Sequence, residues 1–145
     1  MTLPPNGLYI LPGCPLPWKA PFVGTRGTFS PRHAVMIEYR KILANQHQGD
    51  LLDEAIVVDL FFYMPIPKSA SKKKRELMLS GDIRPEGTPD RTNTCKLAED
   101  CLQGSVIKND SKIVDGRVGK WYSDNPRTEI YITRLKDMKN RCDIG

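Results

Sequence analysis

The sequence contains no run of eighteen apolar residues, and no positively charged segment near its start leads into an apolar core. Both absences are typical of chains without a membrane span or a secretory signal peptide, so we expect no membrane partner and a cytoplasmic location. Cysteine is scarce, and its four occurrences form neither a CxxC pair nor a zinc-binding spacing. We interpret them as reduced thiols of a cytosolic protein; they are Cys14, Cys95, Cys101 and Cys142.

The remaining composition is that of one globular domain. The chain has 145 residues, of which 39% are hydrophobic and 27% are charged, and a chain of this length can bury a compact core. We therefore expect a single domain over residues 1–145, with an N-terminal extension at 1–15 and a flexible tail at 136–145. The net charge of +5 mildly favours a polyanionic partner, although charge alone does not identify a nucleic acid.

Hydrophobic periodicity predicts an α+β fold, with a mixed β-sheet flanked by helices. Strands are expected at residues 8–11, 16–23, 55–64, 113–122 and 128–135, and helices at residues 30–48, 72–80 and 91–103. Ser30 followed by proline is typical of an N-cap. The nearly continuous apolar run at 55–64 suits a central strand covered on both faces. The last two strands form either a hairpin or another pairing, because the segment between them allows both.

A strongly basic run begins the second predicted helix, after Ser71 as its N-cap; it consists of Lys72, Lys73, Lys74 and Arg75. Positive charge at a helix N-terminus opposes the helix dipole, so these residues do not serve local stability. Neutralising DNA phosphates is one use for them, and a solvated charged face is the alternative. No aromatic residues alternate with the lysines, which disfavours a surface that stacks single-stranded bases.

Further basic residues are candidate DNA contacts. Arg26 lies in a glycine-flanked turn, and Lys112 and Lys120 lie near the predicted fourth strand. Each is a candidate phosphate contact or a solvated surface residue. Trp18 and Phe22 are expected in the core or at a dimer contact, rather than as platforms for stacked bases.

The most informative stretch is residues 89–112. Asp90 lies at a helix start, Lys96 follows within that helix, and Asp110 lies in the loop beyond it. A helix start and a nearby loop can bring two carboxylates around one hard cation such as Mg²⁺, with an ammonium beside them. The alternative is structural. In that interpretation Asp90 caps the helix, Lys96 pairs with Asp100, and Asp110 belongs to a turn.

These residues resemble the RusA family of Holliday-junction resolvases. The resemblance is strongest in DRTN at 90–93, Lys96, Asp100 and NDSKIV at 109–114, and it extends to SKKKR at 71–75, KWY at 120–122 and PRTEI at 126–130. It covers approximately residues 16–135. The family's pattern has Asp-x-Asp-Asn, then a lysine three residues later, then an aspartate before a hydrophobic strand.

The resemblance implies a single nuclease domain that acts as a homodimer on branched DNA, the four-way junction, and it implies that such proteins are often encoded by phages. The implied cofactor is Mg²⁺, with Mn²⁺ as a possible substitute. Asp90 and Asp110 would then be catalytic metal ligands, Lys96 would support phosphodiester cleavage, and Asn93 would position the motif or a ligand water.

One position departs from the family pattern, because Thr92 stands where the family has its second aspartate. A hydroxyl carries no charge and is a poorer Mg²⁺ ligand than a carboxylate, so Thr92 is only a doubtful metal ligand. Glu99 and Asp100 lie nearby, and neither is an obvious replacement. Three hypotheses follow: an active junction endonuclease, a weakened or inactive protein that binds junction or duplex DNA, and an RNA-binding protein or ribonuclease.

Overall fold

A computed structural model describes residues 7–138 of the chain. Cys142, most of the predicted tail at 136–145 and the first six residues of the predicted N-terminal extension lie outside the described residues. None of the helices in this described part combines the length and apolar character needed to cross a bilayer.

Residues 7–138 fold into strands and α-helices that confirm the predicted α+β class. In chain order they are β1 (Leu8–Pro12), β2 (Phe22–Gly24), β3 (Gly27–Phe29), α1 (His33–His47), β4 (Ile56–Pro65), α2 (Lys72–Ser80), α3 (Arg91–Leu102), β5 (Ile113–Asp115), β6 (Val118–Ser123) and β7 (Arg127–Arg134). Two short 3-10 turns cover Asp110–Lys112 and Leu135–Asp137.

The main sheet is mixed, and β4 is its central strand. On one side β4 pairs with β7 in antiparallel orientation, and β1 pairs with the far edge of β7. On the other side β5 and β6 run parallel to successive parts of β4. The hairpin alternative for the last two strands is therefore wrong, since β6 and β7 lie on opposite sides of β4. The strong apolar character of β4 explains this, because a strand that buries its side chains can accept partners along both edges.

The core lies between one face of this sheet and the helices α1 and α3. Alternate residues of β4 enter it, and α3 contributes its predicted apolar face. The buried α3 residues are Thr94, Leu97, Ala98, Cys101 and Leu102. The opposite face of β4 is only partly covered, since Phe61 and Tyr63 remain half-buried. The expectation of a strand fully covered on both faces was therefore only half right.

The N-terminal third differs from the prediction in two places. Only Phe22 and Val23 of the predicted strand at 16–23 are extended, in a small hairpin with β3, because the prolines in this segment cannot sustain a ladder. Helix α1 begins at His33 with Arg32 as its N-cap and no side-chain cap hydrogen bond. Ser30 instead uses its carbonyl oxygen to accept the His33 N–H at 3.2 Å, which forms a turn before the helix.

Two residues of helix α1, Gln46 and His47, join it to β1 by three hydrogen bonds. Gln46 accepts the Ile10 N–H at 2.8 Å and donates its amide to the Ile10 carbonyl oxygen at 2.7 Å. The buried His47 lies 2.7 Å from the Tyr9 hydroxyl and 2.7 Å from the Asp50 carbonyl oxygen. A carbonyl only accepts, so Nε2 of His47 donates and Nδ1 accepts from Tyr9. His47 is thus a satisfied structural residue.

Candidate functional site

Asp90 begins helix α3 as its N-cap. The Asn93 N–H donates to Oδ1 of Asp90 at 2.7 Å, and the Asn93 side-chain amide lies 3.4 Å from Oδ2. The Thr94 hydroxyl donates to the Asp90 carbonyl oxygen at 2.7 Å. This part of the structural alternative is confirmed. Capping uses one lone pair of each carboxylate oxygen, so both oxygens keep acceptor capacity for a cation.

Asp110 begins the turn that follows α3. Gln103, at the end of the helix, accepts the Asp110 N–H at 2.9 Å, and Asn109 accepts the Ser111 N–H at 2.9 Å. These two contacts fix the backbone around Asp110, while its side chain stays exposed. The acid is thus held at a defined place, and its carboxylate remains accessible to solvent.

A cleft of about 420 Å³ lies along the polar face of α3, and we call it the α3 cleft. It brings together three predicted site residues, Thr92, Lys96 and Asp110. Its other lining residues are Arg91, Cys95, Glu99, Asp100, Gly116 and Val118. Carboxylate oxygens suit a hard cation, and Glu99, Asp100 and Asp110 bring such groups to the lining of this cleft.

Asp90 lines a second cleft instead, of about 530 Å³, which we call the proline cleft. Its lining residues are Cys14, Pro15, Leu16, Pro17, Trp18, Lys19, Arg32, Thr88, Pro89, Asp90 and Asn93. The first turn of α3 separates the two clefts, because capping turns the Asp90 carboxylate toward Asn93. The structure therefore places Asp90 and Asp110 at neighbouring clefts, and the ion that they are predicted to share stays a prediction.

Lys96 is held by an aromatic residue that sequence reasoning did not assign to the site. Its Nζ lies 4.6 Å from the centre of the Trp18 ring, within the range of a cation–π contact. The backbone N–H of Trp18 donates to the Asn93 carbonyl oxygen at 2.9 Å, which fixes Trp18 against α3. Within residues 7–138, the ion pair of Lys96 with Asp100 that the structural alternative expected is absent.

The thiols near the site are not nucleophiles. Burial, reinforced by the negative charge of Glu99, raises the pKa of Cys95 to about 12, and the Cys95 thiol donates to Glu99 at 3.4 Å. Burial also raises the pKa of Cys101 to about 11. Because thiolates are the reactive species, chemistry at this site rests on its oxygen groups and its ammonium.

The carboxylates of the site do not form a complete metal cage. Across residues 7–138, no three imidazole, thiol or carboxylate groups lie together in a way that could hold a metal ion. Mg²⁺ does not require such a cage, since it is commonly bound by one or two carboxylates with waters and phosphate oxygens as further ligands. The carboxylate of Asp110 therefore stays a predicted metal ligand.

The predicted N-cap of the basic helix is confirmed. Ser71 caps α2, and its hydroxyl accepts the Lys74 N–H at 3.2 Å. The side chains of Lys72, Lys73 and Lys74 are exposed on the first turn. Arg75 forms an ion pair with Asp124 in the turn after β6. Both α2 and α3 contact β6, so the basic run and the α3 cleft flank the same strand.

The other predicted DNA contacts differ in what they touch. Arg26 is exposed at the turn between β2 and β3. Lys112 lies 3.4 Å from Asp53, in an exposed ion pair. The ammonium of Lys120 donates hydrogen bonds to two backbone carbonyl oxygens, those of Gly87 and Pro89. These contacts leave the DNA roles of all three residues as predictions.

Sequence reasoning missed Trp18 as the partner of Lys96 and Gln103 as the residue that holds Asp110. Trp18 lies far from Lys96 in the chain, and no periodic pattern relates the two positions. Gln103 carried a weak signal, because a glutamine at a helix end can reach a backbone N–H in the following loop.

Comparison with known proteins identifies the family to which the chain belongs. The sequence model of the family described as "Endodeoxyribonuclease RusA" matches residues 12–133. The "Uncharacterized protein YqaN" of Bacillus subtilis (strain 168) is 38% identical over 101 residues, which are 68% of this chain and 71% of that protein. The α+β domain with its acid- and lysine-lined cleft therefore belongs to a family of DNA-cleaving enzymes. The chain is a member of the RusA family, and the resemblance stated from its motifs is confirmed.

Proposed function

We propose that this chain is a Mg²⁺-dependent, structure-selective endonuclease that resolves four-way (Holliday) DNA junctions by paired phosphodiester nicks. The observation that supports this most strongly is the α3 cleft, where Thr92, Lys96 and Asp110 lie together in a chain that belongs to an endodeoxyribonuclease family. Two sites in a homodimer with two-fold symmetry would face equivalent strands of a junction, which explains why the nicks are paired.

In this proposal Asp110 from the α3 cleft and Asp90 from the adjoining helix start would hold the metal, with Mn²⁺ as a substitute for Mg²⁺. Thr92 is the weakest of the proposed ligands. When bound, the ion supplies Lewis-acid polarisation of the phosphate and lowers the pKa of a bound water. The residues suit it, since Asp90 keeps free lone pairs despite its role as a cap and carboxylate oxygen is the ligand that Mg²⁺ prefers.

Lys96 has a separate role, which is to stabilise the negative charge that develops on the phosphate during cleavage. Its ammonium lies 4.6 Å over the Trp18 ring, and this contact holds the side chain while its N–H donors stay available. Asn93 supports the same region by keeping the Asp90 carboxylate fixed at the start of α3.

DNA binding is assigned to the basic surface, through phosphates rather than base edges. Lys72, Lys73 and Lys74 are the main candidates because they are exposed beside the strand that α3 also contacts. The remaining candidates are Arg75, Lys112 and Arg26. Lys120 is the least available of the predicted contacts, because its ammonium already donates to two backbone carbonyl oxygens. Binding through these residues should weaken as salt concentration rises, because each phosphate contact releases counterions.

A nicking assay tests the proposal. End-labelled four-way junctions incubated with the protein and Mg²⁺ should give symmetrical nicks in opposed strands, and linear duplex of the same sequence should stay intact. Excess chelator should stop the reaction. Nicking that continues undiminished in chelator would contradict the metal-dependent mechanism.

Thr92 supports a second candidate, a protein that binds junction or duplex DNA but cleaves it weakly. Its hydroxyl lines the α3 cleft at the position where the family pattern has a carboxylate. We expect Thr92→Asp to raise the nicking rate with little change in junction affinity, because the new acid sits beside Asp110 and in the first turn of a helix.

The control for this prediction is Thr92→Asn, which has a similar shape and no charge. Equal rates for wild type, Thr92→Asp and Thr92→Asn would contradict the idea that the missing carboxylate limits cleavage. Competition among junction DNA, duplex DNA and structured RNA at one salt concentration separates the DNA-binding proposals from an RNA-directed role.

A further inference from the structure

Lys120 on β6 has unusual partners for a surface lysine. Its ammonium donates to the carbonyl oxygens of Gly87 at 2.8 Å and of Pro89 at 2.7 Å. The side chain is half-buried, and two of its three N–H donors are used by these carbonyls. Pro89 directly precedes Asp90, so the lysine is bonded to the residue next to the helix cap.

The segment in front of α3 lacks other backbone support. Between Arg84 and Pro89, all of which the structure describes, no backbone–backbone hydrogen bond is present. The segment is irregular and runs along the protein surface, so side chains must fix its course. Within residues 84–89, the contacts of Lys120 are therefore the polar contacts closest to Asp90.

The same part of β6 holds the segment at a second place. The Arg84 guanidinium lies 3.3 Å from the centre of the Trp121 ring, and its Nε–H donates to the Lys120 carbonyl oxygen at 2.5 Å. Gly119 leaves the space for this stack, because a Cβ there would lie 3.2 Å from the Trp121 ring nitrogen. Residues 119–121 thus hold the segment at 84–89 near both of its ends.

We propose that Lys120 is a positioning residue, which fixes the Gly87–Pro89 carbonyls and thereby the Asp90 carboxylate, and that it does not bind DNA phosphate. The consequence for cleavage rests on the proposed nuclease function. The positioning itself does not, since it concerns only contacts inside the chain.

The first experiment compares Lys120→Met with Lys112→Met, and each change removes one positive charge. Amide hydrogen exchange followed by mass spectrometry should show faster exchange at Asn93 and Thr94 in Lys120→Met, by about tenfold or more. The N–H groups of both residues donate to Asp90, and the variant loses the two charged hydrogen bonds that hold the residues in front of Asp90. Lys112→Met should leave these amides unchanged, since Lys112 pairs with Asp53 elsewhere. Equal exchange in wild type and Lys120→Met would overturn the proposal.

The second experiment measures junction affinity without divalent metal over a range of salt concentrations, beside turnover with Mg²⁺. For Lys120→Met we expect unchanged affinity and salt dependence but a turnover lower by about 10- to 100-fold, because a misplaced site slows chemistry. A phosphate contact would instead weaken binding and reduce the salt slope by about one. That second pattern would overturn the proposal.

Lys120→Arg is the control for a general loss of folding in Lys120→Met. Its guanidinium keeps a positive charge and N–H donors on this side chain, so exchange at Asn93 and Thr94 should return toward the wild-type rate. An arginine variant that exchanges as fast as the methionine variant would overturn the proposal. If the wild-type protein nicks no junction, the nuclease function fails, and the exchange comparison still decides the role of Lys120.

Discussion

The two acids of the motif, Asp90 and Asp110, are used differently by the fold. Asp90 accepts hydrogen bonds from the Asn93 backbone and side chain and begins α3. Asp110 is held only through its backbone, by Gln103, and within residues 7–138 no hydrogen bond reaches its carboxylate. One acid is part of the helix that carries the site, and the other contributes a carboxylate to the α3 cleft.

An alanine substitution therefore removes different interactions at these two positions. At Asp110 it removes an exposed carboxylate and little else. At Asp90 it removes a carboxylate and a helix cap together. Asparagine separates the two effects, because it caps a helix as well as aspartate does but carries no negative charge.

The largest expected effect is on cleavage. Asp110→Asn should abolish junction nicking while leaving junction affinity near the wild-type value, because it removes a proposed metal ligand without changing shape. Asp90→Asn should also abolish nicking if the two acids share one ion. An Asp90→Asn protein that nicks at the wild-type rate would show that Asp90 serves only as a cap.

A smaller effect is expected on metal affinity itself. Titration calorimetry with Mn²⁺ in the absence of DNA should give affinities at least about tenfold weaker for Asp110→Asn and Asp90→Asn than for wild type. Glu76→Gln, on α2 and outside both clefts, is the matched control for the loss of one negative charge. Weaker binding in this control would mean that the titration reports general electrostatics rather than a site.

The smallest effect is on stability, and here the two acids are expected to differ. Asp90→Ala should lower the free energy of unfolding by about 1 kcal/mol, the usual value of an N-cap. Asp90→Asn should lower it far less, and Asp110→Ala should stay within about 0.5 kcal/mol of wild type. Urea denaturation measures all three. Equal losses for Asp90→Ala and Asp90→Asn would contradict the capping role.

Local sequence signals were enough to predict much of the fold. The apolar run of β4, the Ser71 cap of α2 and the apolar face of α3 each depend on residues close together in the chain, and all three predictions are confirmed. The parallel pairing of β6 with β4 could not be predicted, because it joins segments separated by two helices. Proline spacing at 15–21 indicated a broken strand more strongly than the prediction allowed.

The residues predicted for the site come together only in part, and their roles stay predictions. The motif identified Lys96 and Asp110 as neighbours, and they do line one cleft. The direction of the Asp90 carboxylate depends on cap geometry, because the carboxylate accepts hydrogen bonds from the Asn93 backbone and side chain. The bonds from Lys120 to Gly87 and Pro89 span more than thirty residues of chain, and no local pattern predicts contacts of that range.

The contact of Gln46 with β1 limits how two copies of the chain can meet. β1 is an edge strand, and exposed edges commonly recruit a strand from another molecule. At Ile10 both outward backbone groups are already bonded to the Gln46 amide, and Pro12, two residues on, has no N–H to donate. A continuous sheet across two protomers is therefore blocked at this edge. A dimer of this chain must form through side-chain surfaces or through another edge.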